Sequence, residues 1–439
     1  MTTPINDPEK QAAVSAADRQ YVFHSWSAQG AISPMPIASG SGSRFWDHAG
    51  KVYLDFSSQL VFTNIGHQHP KVIKAIQTQA EVLTTIAPQH ANEARNEAAQ
   101  RIVELAGSNF AKVFFTNAGA DAVENAIRMA RMHTHKHKVL STYRSYHGNT
   151  GAAINATGDP RRFPNEFAFG HVHFWGPYLY RTAFWAKDEG EECQRALEHL
   201  EQTIIFEGPN TIAAILLESI PGTAGVLMPP KGYLEGVRAL CDKYDVILIF
   251  DEVKTGLTAG AHGASARLGV QPDLITLAKS IGGGLPLAAF GGKKKYMDYV
   301  TNGKMAHFGT FNGNPLAMAG VRAIDRICTT QAMEKAEALN MQALTRISAI
   351  IDEYQLPAHT VGFGVKGCVT WSTTPVRNYR DYKATDFGIA EAHWLFALNR
   401  GIITPPGLDE QWLISLAHGQ TEIDLLVEDF REFAKALRS

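Results

Sequence analysis

Three side chains that can carry charge stand directly after apolar runs of the sequence. Asp251 follows DVILIF, Lys279 follows DLITLA and Glu218 follows TIAAILL. Continuous apolar runs of this kind are typical of parallel strands that are covered on both faces. Ligands bind outside the carboxyl ends of such strands. The sequence therefore predicts that these groups meet at one edge of a sheet, where they could bind a ligand or react with it.

The combination of an amine and a buried acid indicates a particular chemistry. Alone, Asp251 could form a salt bridge or cap a helix, and Lys279 could simply reach solvent. Together they match the needs of a pyridoxal ring, because a buried lysine amine readily forms a Schiff base with an aldehyde. The acid would lie at the opposite end of the ring and keep its nitrogen protonated, so that the ring withdraws electrons. The pair indicates pyridoxal 5′-phosphate as cofactor.

Other short segments could hold the remaining parts of such a cofactor. The stretch NAGA (117–120) follows the run KVFFT and opens a helical pattern, where free N–H groups and the helix dipole attract a phosphate. Tyr146, in SYHGNTG, could stack on one face of the ring, and Val253 could pack on the other. Each segment also has a plain structural interpretation, as a strand-to-helix turn or as packed side chains.

The elements that must position these residues follow from the pattern of apolar runs. Between about residues 70 and 325, such runs alternate with helical patterns, which predicts βαβ units and a mainly parallel sheet. Before this region, FWDHAGKVYLDFSS (45–58) predicts a hairpin. We expect an α/β protein with a large central domain, residues 71–325, and a smaller α+β domain built from both termini. Residues 1–70 and 326–439 would form the smaller domain.

The composition excludes several classes of protein. The 439 residues are 45% hydrophobic with a net charge of −2, which is typical of a globular chain and gives no basic field to attract nucleic acid. No run reaches the roughly 18 apolar residues that a membrane helix needs, and no signal-peptide pattern is visible. Four scattered cysteines favour a reducing compartment. A cytoplasmic protein without a metal site or a membrane partner is expected.

The chain resembles one known family over nearly its whole length. It is similar to the class III (subgroup II, fold-type I) pyridoxal-phosphate aminotransferases in these segments, in this order: KVYLDFSSQLVFTNIGHQHPKV, FFTNAGADAVENAIRMAR, YHGNT, ILIFDEVKTG, PDLITLAKSIGGGLPLAAFGG and GTFNGNPLAMAG. The resemblance implies a fold-type I transferase in which Lys279 carries the internal aldimine and transfers the proton, while Asp251 pairs with the ring nitrogen. An amine or a ω- or β-amino compound would give its amino group to an oxo acid, pyruvate or 2-oxoglutarate, by a ping-pong mechanism.

The resemblance also implies how the cofactor is held. The amides of Gly119 and Ala120 would bind the phosphate, and Thr310 of the neighbouring subunit would complete that site. The protein would then be a homodimer with shared active sites. The full set of expected cofactor-binding residues is Gly119, Ala120, Tyr146, Glu218, Asp251, Val253, Lys279 and Thr310.

Some positions depart from the family, and the branch within it stays open. Ser219 follows Glu218 where most members have proline, and Lys254 follows Val253 where glutamine or methionine is common. GIITPPGLDEQWLISLAHG resembles the glutamate-1-semialdehyde aminomutases, whereas YRSYHGNTGAAINATGDPRRF resembles ω-amino acid and taurine-type transaminases. In the aminomutase, an arginine that binds the substrate carboxylate stands where this chain has Pro36. A 2,1-aminomutase is therefore the second alternative, and a catalytically inactive binding protein on the same fold is the third.

The sequence defines the substrate pocket less well. Four apolar residues could line a roomy pocket for bulky amines or could be core residues: Trp26, Met35, Phe62 and Ile86. An oxo-acid acceptor also needs a cation for its carboxylate, and Arg400 and Arg162 are the candidates.

Overall fold

The computed structural model describes residues 6–107, 110–179, 182–222, 228–373, 385–405 and 412–439. In these ranges the strands are β1 (Ile37–Ser41), β2 (Arg44–Asp47), β3 (Val52–Asp55), β4 (Phe110–Thr116), β5 (Lys138–Thr142), β6 (His171–Phe174), β7 (Ile212–Leu217), β8 (Ile247–Asp251), β9 (Leu274–Leu277), β10 (Ala288–Lys293), β11 (His359–Phe363), β12 (Lys366–Thr370), β13 (Ile402–Ile403) and β14 (Trp412–Leu413). The helices are α1 (Pro8–Tyr21), α2 (Ser58–Val61), α3 (Pro70–Val82), α4 (Glu93–Ala106), α5 (Gly119–Thr134), α6 (Gly151–Ala156), α7 (Glu189–Glu207), α8 (Tyr233–Tyr244), α9 (Gly263–Leu268), α10 (Lys294–Thr301), α11 (Pro315–Asp325), α12 (Thr330–Glu353), α13 (Phe387–Asn399) and α14 (Gln420–Arg438).

A seven-stranded sheet lies at the centre of the described residues. Its strand order is β4-β10-β9-β8-β7-β5-β6, and β10 pairs antiparallel with both of its neighbours. The pairs β9–β8, β8–β7, β7–β5 and β5–β6 are all parallel. Every residue of β7, β8 and β9 is buried, as expected for strands with helices on both faces. The mixed α/β fold with a mainly parallel sheet is confirmed.

The parallel strands bring the predicted functional residues to one edge of this sheet. The carboxyl ends of β7, β8 and β9 point the same way, and Asp251 lies opposite Thr276 in the β8–β9 pairing. Helix α5 starts close after β4 and packs on the sheet through an apolar face. That face consists of Ala122, Val123, Ala126, Ile127 and Ala130, each at most 1% exposed. The helix lies where the helical pattern after NAGA (117–120) predicts one.

The described residues also form two smaller sheets. The first has the order β1-β2-β3-β13 and contains the predicted hairpin, β2 and β3, with Gly50 at φ 82° in its turn. Strand β13 pairs parallel with β3, so that Ile402 lies opposite Leu54 and the two ends of the chain share a sheet. The second sheet has the order β11-β12-β14. The domain boundaries near residues 70 and 325 stay a prediction.

The remaining global features concern cysteines and membrane helices. Cys193, Cys241, Cys328 and Cys368 are all buried and form no disulfide. None of the described helices combines the length and the apolar character that crossing a bilayer requires.

Candidate active site

The carboxylate of Asp251 is fixed by three donors. Asp251 ends β8 and is 5% exposed. Its Oδ1 accepts hydrogen bonds from the Thr276 hydroxyl at 3.1 Å and from the Val253 N–H at 3.0 Å. Its Oδ2 lies 2.8 Å from Nδ1 of His147, which must donate to it. Because a buried carboxylate is costly unless it is hydrogen-bonded, these contacts hold the group in one orientation at the edge of the sheet.

Lys279 follows the next strand. It opens a short 3₁₀-helix, Lys279–Gly282, directly after β9 and Ala278, and its φ of 53° lies in the left-handed region. The side chain is half-buried, and its Nζ makes no hydrogen bond with any of the described residues. Burial lowers the pKa of the Lys279 amine, and the charge of Arg161 lowers it further, although Asp251 and Glu218 act in the opposite direction. A lowered pKa increases the neutral, nucleophilic fraction of the amine.

The start of α5 forms the third side of the site. Its N-cap residue, Ala118, provides no side-chain hydrogen bond, so that the first N–H groups of this 16-residue helix are not capped by that side chain. A Cβ added to Gly119 would lie 3.0 and 3.1 Å from the two γ-carbons of Val253 and 3.6 Å from the Cβ of Ala278. The start of the helix therefore touches the residues beside Asp251 and Lys279, and it offers an anion site next to both.

The loop after β5 joins the same edge. The N–H of Tyr146 donates to Oε1 of Glu218 at 2.9 Å. A Cβ on Gly148, at φ 132°, would lie only 2.6 Å from the Cβ of Ala120, so that the loop packs directly against the start of α5. Burial raises the pKa of the half-buried Tyr146 hydroxyl. The rings of Tyr146 and Trp26 form a T-shaped contact, with their centres 5.2 Å apart.

Glu218 positions the backbone around the site. Its Oε2 accepts from the N–H of Gly222 at 2.7 Å, while its Oε1 is occupied by Tyr146. The amine of Lys254 donates to the carbonyl of Gly222. Glu218 therefore ties the Tyr146 loop to the turn after β7, and Lys254 supports the same turn.

Thr310 makes no hydrogen bond to the other predicted residues within the described ranges. It is exposed in the turn before α11, and no hydrogen bond joins it to another residue in the described part of the chain. The nearby Asn312 accepts from Nδ2 of Asn117 at 3.0 Å, so that this turn lies beside the start of α5. The role of Thr310 in the site of a neighbouring subunit stays a prediction.

Four further residues were not predicted from the sequence. His147 and Thr276 hold Asp251; the first lies inside YHGNT and the second is the one polar residue of ITL in β9. Arg161 lies on Tyr146, with its Cζ 3.9 Å from the ring centre. Lys366, at the start of β12, is 9% exposed, and burial together with the charge of Lys279 lowers its pKa to about 8. His147, Thr276 and Arg161 lie in segments that the sequence analysis quotes, whereas Lys366 lies in none of them.

The predicted pocket residues are not core residues. Trp26 is 60% exposed and reaches Tyr146, and Met35 is 43% exposed. Phe62 and Ile86 are half-buried. Trp26 is the one of the four that has a ring contact with a predicted site residue in the described ranges.

Comparison with known proteins identifies the family. The sequence pattern of the family described as "Aminotransferase class-III" matches residues 26–389. The chain belongs to the class III aminotransferases. Two curated relatives of this aminotransferase are the glutamate-1-semialdehyde 2,1-aminomutase 2 of Brevibacillus brevis and the glutamate-1-semialdehyde 2,1-aminomutase of Desulfitobacterium hafniense. The first is 31% identical over 417 residues, covering 92% of each chain. The second is 32% identical over 407 residues, covering 92% of this chain and 91% of the relative.

Solved structures also resemble this aminotransferase along nearly its whole length. The taurine:2-oxoglutarate aminotransferase of Bifidobacterium kashiwanohense, solved with PLP and glutamate, has a TM-score of 0.87 at 32% identity and covers 100% of this chain and 99% of that one. The ω-transaminase of Pseudomonas jessenii, solved with PMP, has a TM-score of 0.87 at 26% identity and covers 96% of this chain and 98% of that one. These likenesses confirm the fold-type I architecture.

Membership of the family makes the chain an enzyme whose cofactor is pyridoxal 5′-phosphate, as predicted. The residues present fit this group. The uncapped start of α5 suits a phosphate, and the Cβ-free Gly119 leaves the backbone open beside Val253. An amine of lowered pKa and a firmly held carboxylate lie at the ends of adjacent strands.

Proposed function

We propose that this enzyme is a transaminase that moves an amino group from an amine, or from a ω- or β-amino compound, to an oxo acid such as pyruvate or 2-oxoglutarate. The observation that carries this proposal is the placement of Lys279 and Asp251 at the carboxyl ends of neighbouring strands, the amine with a lowered pKa and the acid with three donors. Transaminase names among the solved relatives support the reaction type.

The proposed chemistry divides between the cofactor and two residues. Pyridoxal phosphate, when bound, supplies an aldehyde carbon that links to amines and a ring that withdraws electrons from the neighbouring carbon. Lys279 would accept a proton from the substrate carbon as general base and then deliver it, as general acid, to the carbon that the cofactor's aldehyde supplies. Asp251 keeps the ring nitrogen protonated, because its carboxylate cannot turn away without losing the hydrogen bonds from Thr276 and His147.

The remaining predicted residues hold and shield the cofactor in this proposal. The N–H groups of Gly119 and Ala120 bind the phosphate at the helix start. Tyr146 and Val253 cover the ring on its two faces and exclude water from it. Glu218 acts indirectly, because it fixes the backbone of Tyr146.

We propose a homodimer with shared active sites, in which Thr310 completes the phosphate site of the other subunit. Thr310 stands between Phe308, which is 81% exposed, and Phe311, which is 64% exposed. Neighbouring exposed aromatic side chains are typical of surfaces that a partner covers. A cytoplasmic location is supported by the four buried cysteines, which form no disulfide.

A 2,1-aminomutase is the second candidate, favoured by the names of the curated relatives. Such an enzyme needs no separate acceptor, since the amino group returns to the same carbon skeleton. Pro36 argues against it, because this position offers no cation to the substrate carboxylate. An inactive binding protein is the third candidate, and the lowered pKa of the Lys279 amine speaks against it.

A panel of amine donors tests the proposal. Purified holoenzyme is given each amine with and without pyruvate or 2-oxoglutarate, and, separately, glutamate-1-semialdehyde alone. A transaminase forms amino acid only when the oxo acid is present. Turnover of the semialdehyde alone, without transfer from any amine, would establish the aminomutase instead.

Borohydride reduction tests the assignment of the lysine. The half-buried Lys279 and the buried Lys366 lie near each other, and both amines have a lowered pKa. Reduction of the holoenzyme should fix the cofactor on the peptide that contains Lys279, and Lys279→Ala should abolish both the label and turnover. A label on Lys366, or unchanged turnover in the variant, would overturn the assignment.

A further inference from the structure

An oxo-acid acceptor brings a carboxylate into the site, and the two arginines predicted for it are engaged elsewhere. Nε of Arg400 binds Oδ1 of the buried Asp429 at 2.5 Å. Nη1 of Arg162 donates to the carbonyl of Gly158 at 2.9 Å, and its Nε donates to Glu166 at 3.2 Å. Neither guanidinium is directed at the residues that surround Lys279.

The adjacent arginine, Arg161, lies in the site itself. Its Cζ is 3.9 Å from the centre of the Tyr146 ring and 5.3 Å from that of Trp26. The backbone of Tyr146 is in turn bound to Glu218. The charge of Arg161 also contributes to lowering the pKa of Lys279, which indicates that the guanidinium lies near that amine.

The hydrogen bonds of Arg161 leave one edge of its guanidinium available. Its Nε lies 3.0 and 2.9 Å from the two carboxylate oxygens of Asp159, and its Nη2 also binds Asp159. Its Nη1 makes no hydrogen bond within the described ranges, and 38% of the side chain is exposed. A guanidinium offers donors on more than one edge and can bind a carboxylate through two parallel bonds. Asp159 therefore acts as a counterion that orients Arg161 without using all of its donors.

We propose that Arg161 binds the carboxylate of the oxo-acid acceptor and of amino acid donors, whereas amines without an acidic group react without it. This inference rests on the proposed transaminase function and adds the residue that selects the acceptor. Trp26 and Tyr146 hold the guanidinium between their rings and Asp159, and they offer apolar surface to the rest of the substrate. Arg161 is thus a specificity-determining residue of the substrate pocket.

The test uses the separation of the two half-reactions in ping-pong kinetics. Holoenzyme and its Arg161→Gln variant are assayed for kcat/KM with 1-phenylethylamine, with β-alanine, and with pyruvate and 2-oxoglutarate as acceptors. We expect kcat/KM for the acceptors and for β-alanine to fall about 10- to 100-fold, as for the loss of hydrogen bonds to a charged group. The value for 1-phenylethylamine should stay within about twofold. An equal fall for all four compounds, or no fall for the acceptors, would overturn the inference.

Two variants separate recognition from structure. Arg162→Gln removes the same charge from the neighbouring position and should leave the ratio of acceptor to amine kinetics unchanged. Arg161→Lys keeps the charge but loses the fork of donors, so it should recover only part of the acceptor value. A purely structural role for Arg161 would lower the values for amine and acceptor together in both Arg161 variants.

A binding measurement does not depend on turnover. Propionate and glutarate, which carry carboxylates but no reactive carbonyl, are titrated into the holoenzyme by calorimetry. We expect Arg161→Gln to weaken the tighter of the two about 10-fold or more, with no change in Arg162→Gln. Binding of neither compound, or equal binding in all proteins, would refute the role of Arg161. Failure of wild-type enzyme to transfer from any amine would refute the transaminase function instead.

Discussion

Asp251→Asn removes one charge from the site and leaves most of its geometry intact. In the wild-type protein, Oδ1 of the carboxylate accepts hydrogen bonds from the Thr276 hydroxyl at 3.1 Å and from the Val253 N–H at 3.0 Å. The Oδ1 of the asparagine can still accept both. Its Nδ2 would face His147, which must then change tautomer and accept through Nδ1. All three charge-assisted hydrogen bonds become neutral ones, but the buried charge, which is costly to desolvate, is removed as well. We therefore expect a loss of only about 1 kcal/mol in the free energy of unfolding.

The effect on rate should be far larger. A carboxylate next to a titrating cation raises the pKa of that cation by about 1–3 units, and one unit is a factor of about ten in the protonated fraction. Loss of the Asp251 charge should therefore slow proton removal from the substrate by roughly 10- to 1000-fold near neutral pH. The same charge also raises the pKa of Lys279. Its removal should lower that pKa further, so that the amine becomes neutral at lower pH.

Single-turnover kinetics measure this effect directly. Holoenzyme is mixed with an amine donor without acceptor, and the loss of the visible absorption of the cofactor is followed as a function of pH. The matched control is Thr276→Val, which removes one donor to the same carboxylate but keeps its charge, and which should slow the reaction less than about tenfold. If Asp251→Asn reacts at nearly the wild-type rate while its thermal unfolding is unchanged, another group protonates the ring nitrogen and the reasoning fails.

Three further outcomes are expected. Gly119→Ala puts a Cβ 3.0 Å from a γ-carbon of Val253, so the dissociation constant for pyridoxal phosphate should rise about 10-fold or more. Val253→Ala in the same chain should reverse part of this rise. An unchanged dissociation constant in Gly119→Ala would contradict the tight contact. Burial lowers the pKa of Lys366 to about 8, so between pH 8 and 10.5 the unfolded chain binds a proton that the folded chain lacks, and the free energy of unfolding rises with pH. In chemical denaturation, Lys366→Met should lose up to about 3 kcal/mol of this rise. Equal pH profiles of stability for the two proteins would contradict this prediction. Thr310→Ala should weaken the binding of pyridoxal phosphate. If the sites are shared, each mixed dimer of a Thr310→Ala chain with a Lys279→Ala chain should have one site with both defects and one site with neither. Mixtures no more active than the sum of the parent proteins would speak against a shared site.

The sequence predicts the strand ends well, because their position follows from local pattern. Apart from Thr276, the runs before Asp251, Lys279 and Glu218 are apolar on both faces, so each must be a buried strand, and the next charged residue marks where it ends. The structure has these residues at one edge, with β8 and β9 as direct neighbours. The place of β10 between β4 and β9 was not predictable in this way, because antiparallel insertion depends on pairing rather than on composition.

Contacts between distant parts of the chain set the limit of such predictions. His147 and Asp251 are 104 positions apart, and nothing near either residue in the sequence indicates their hydrogen bond. Arg161 and Arg162 are neighbours with the same charge. Which of them faces Tyr146 depends on the path of the 3₁₀-helix Pro160–Asn165, and the sequence candidate was Arg162 rather than Arg161. The family resemblance identifies the cofactor, but the substrate side requires the folded chain.

The backbone angle of Lys279 has a consequence for how this enzyme could be stabilised. A non-glycine residue with φ of 53° costs about 1–2 kcal/mol relative to ordinary helical or extended backbone. Glycine or asparagine would tolerate that angle better. A library screened only for heat resistance should therefore accumulate glycine or asparagine at position 279. Its most stable members would lack the amine that links to the cofactor, and so they would also lack the visible absorption of the linked cofactor. Selection for stability has to be coupled to selection for turnover at this one codon.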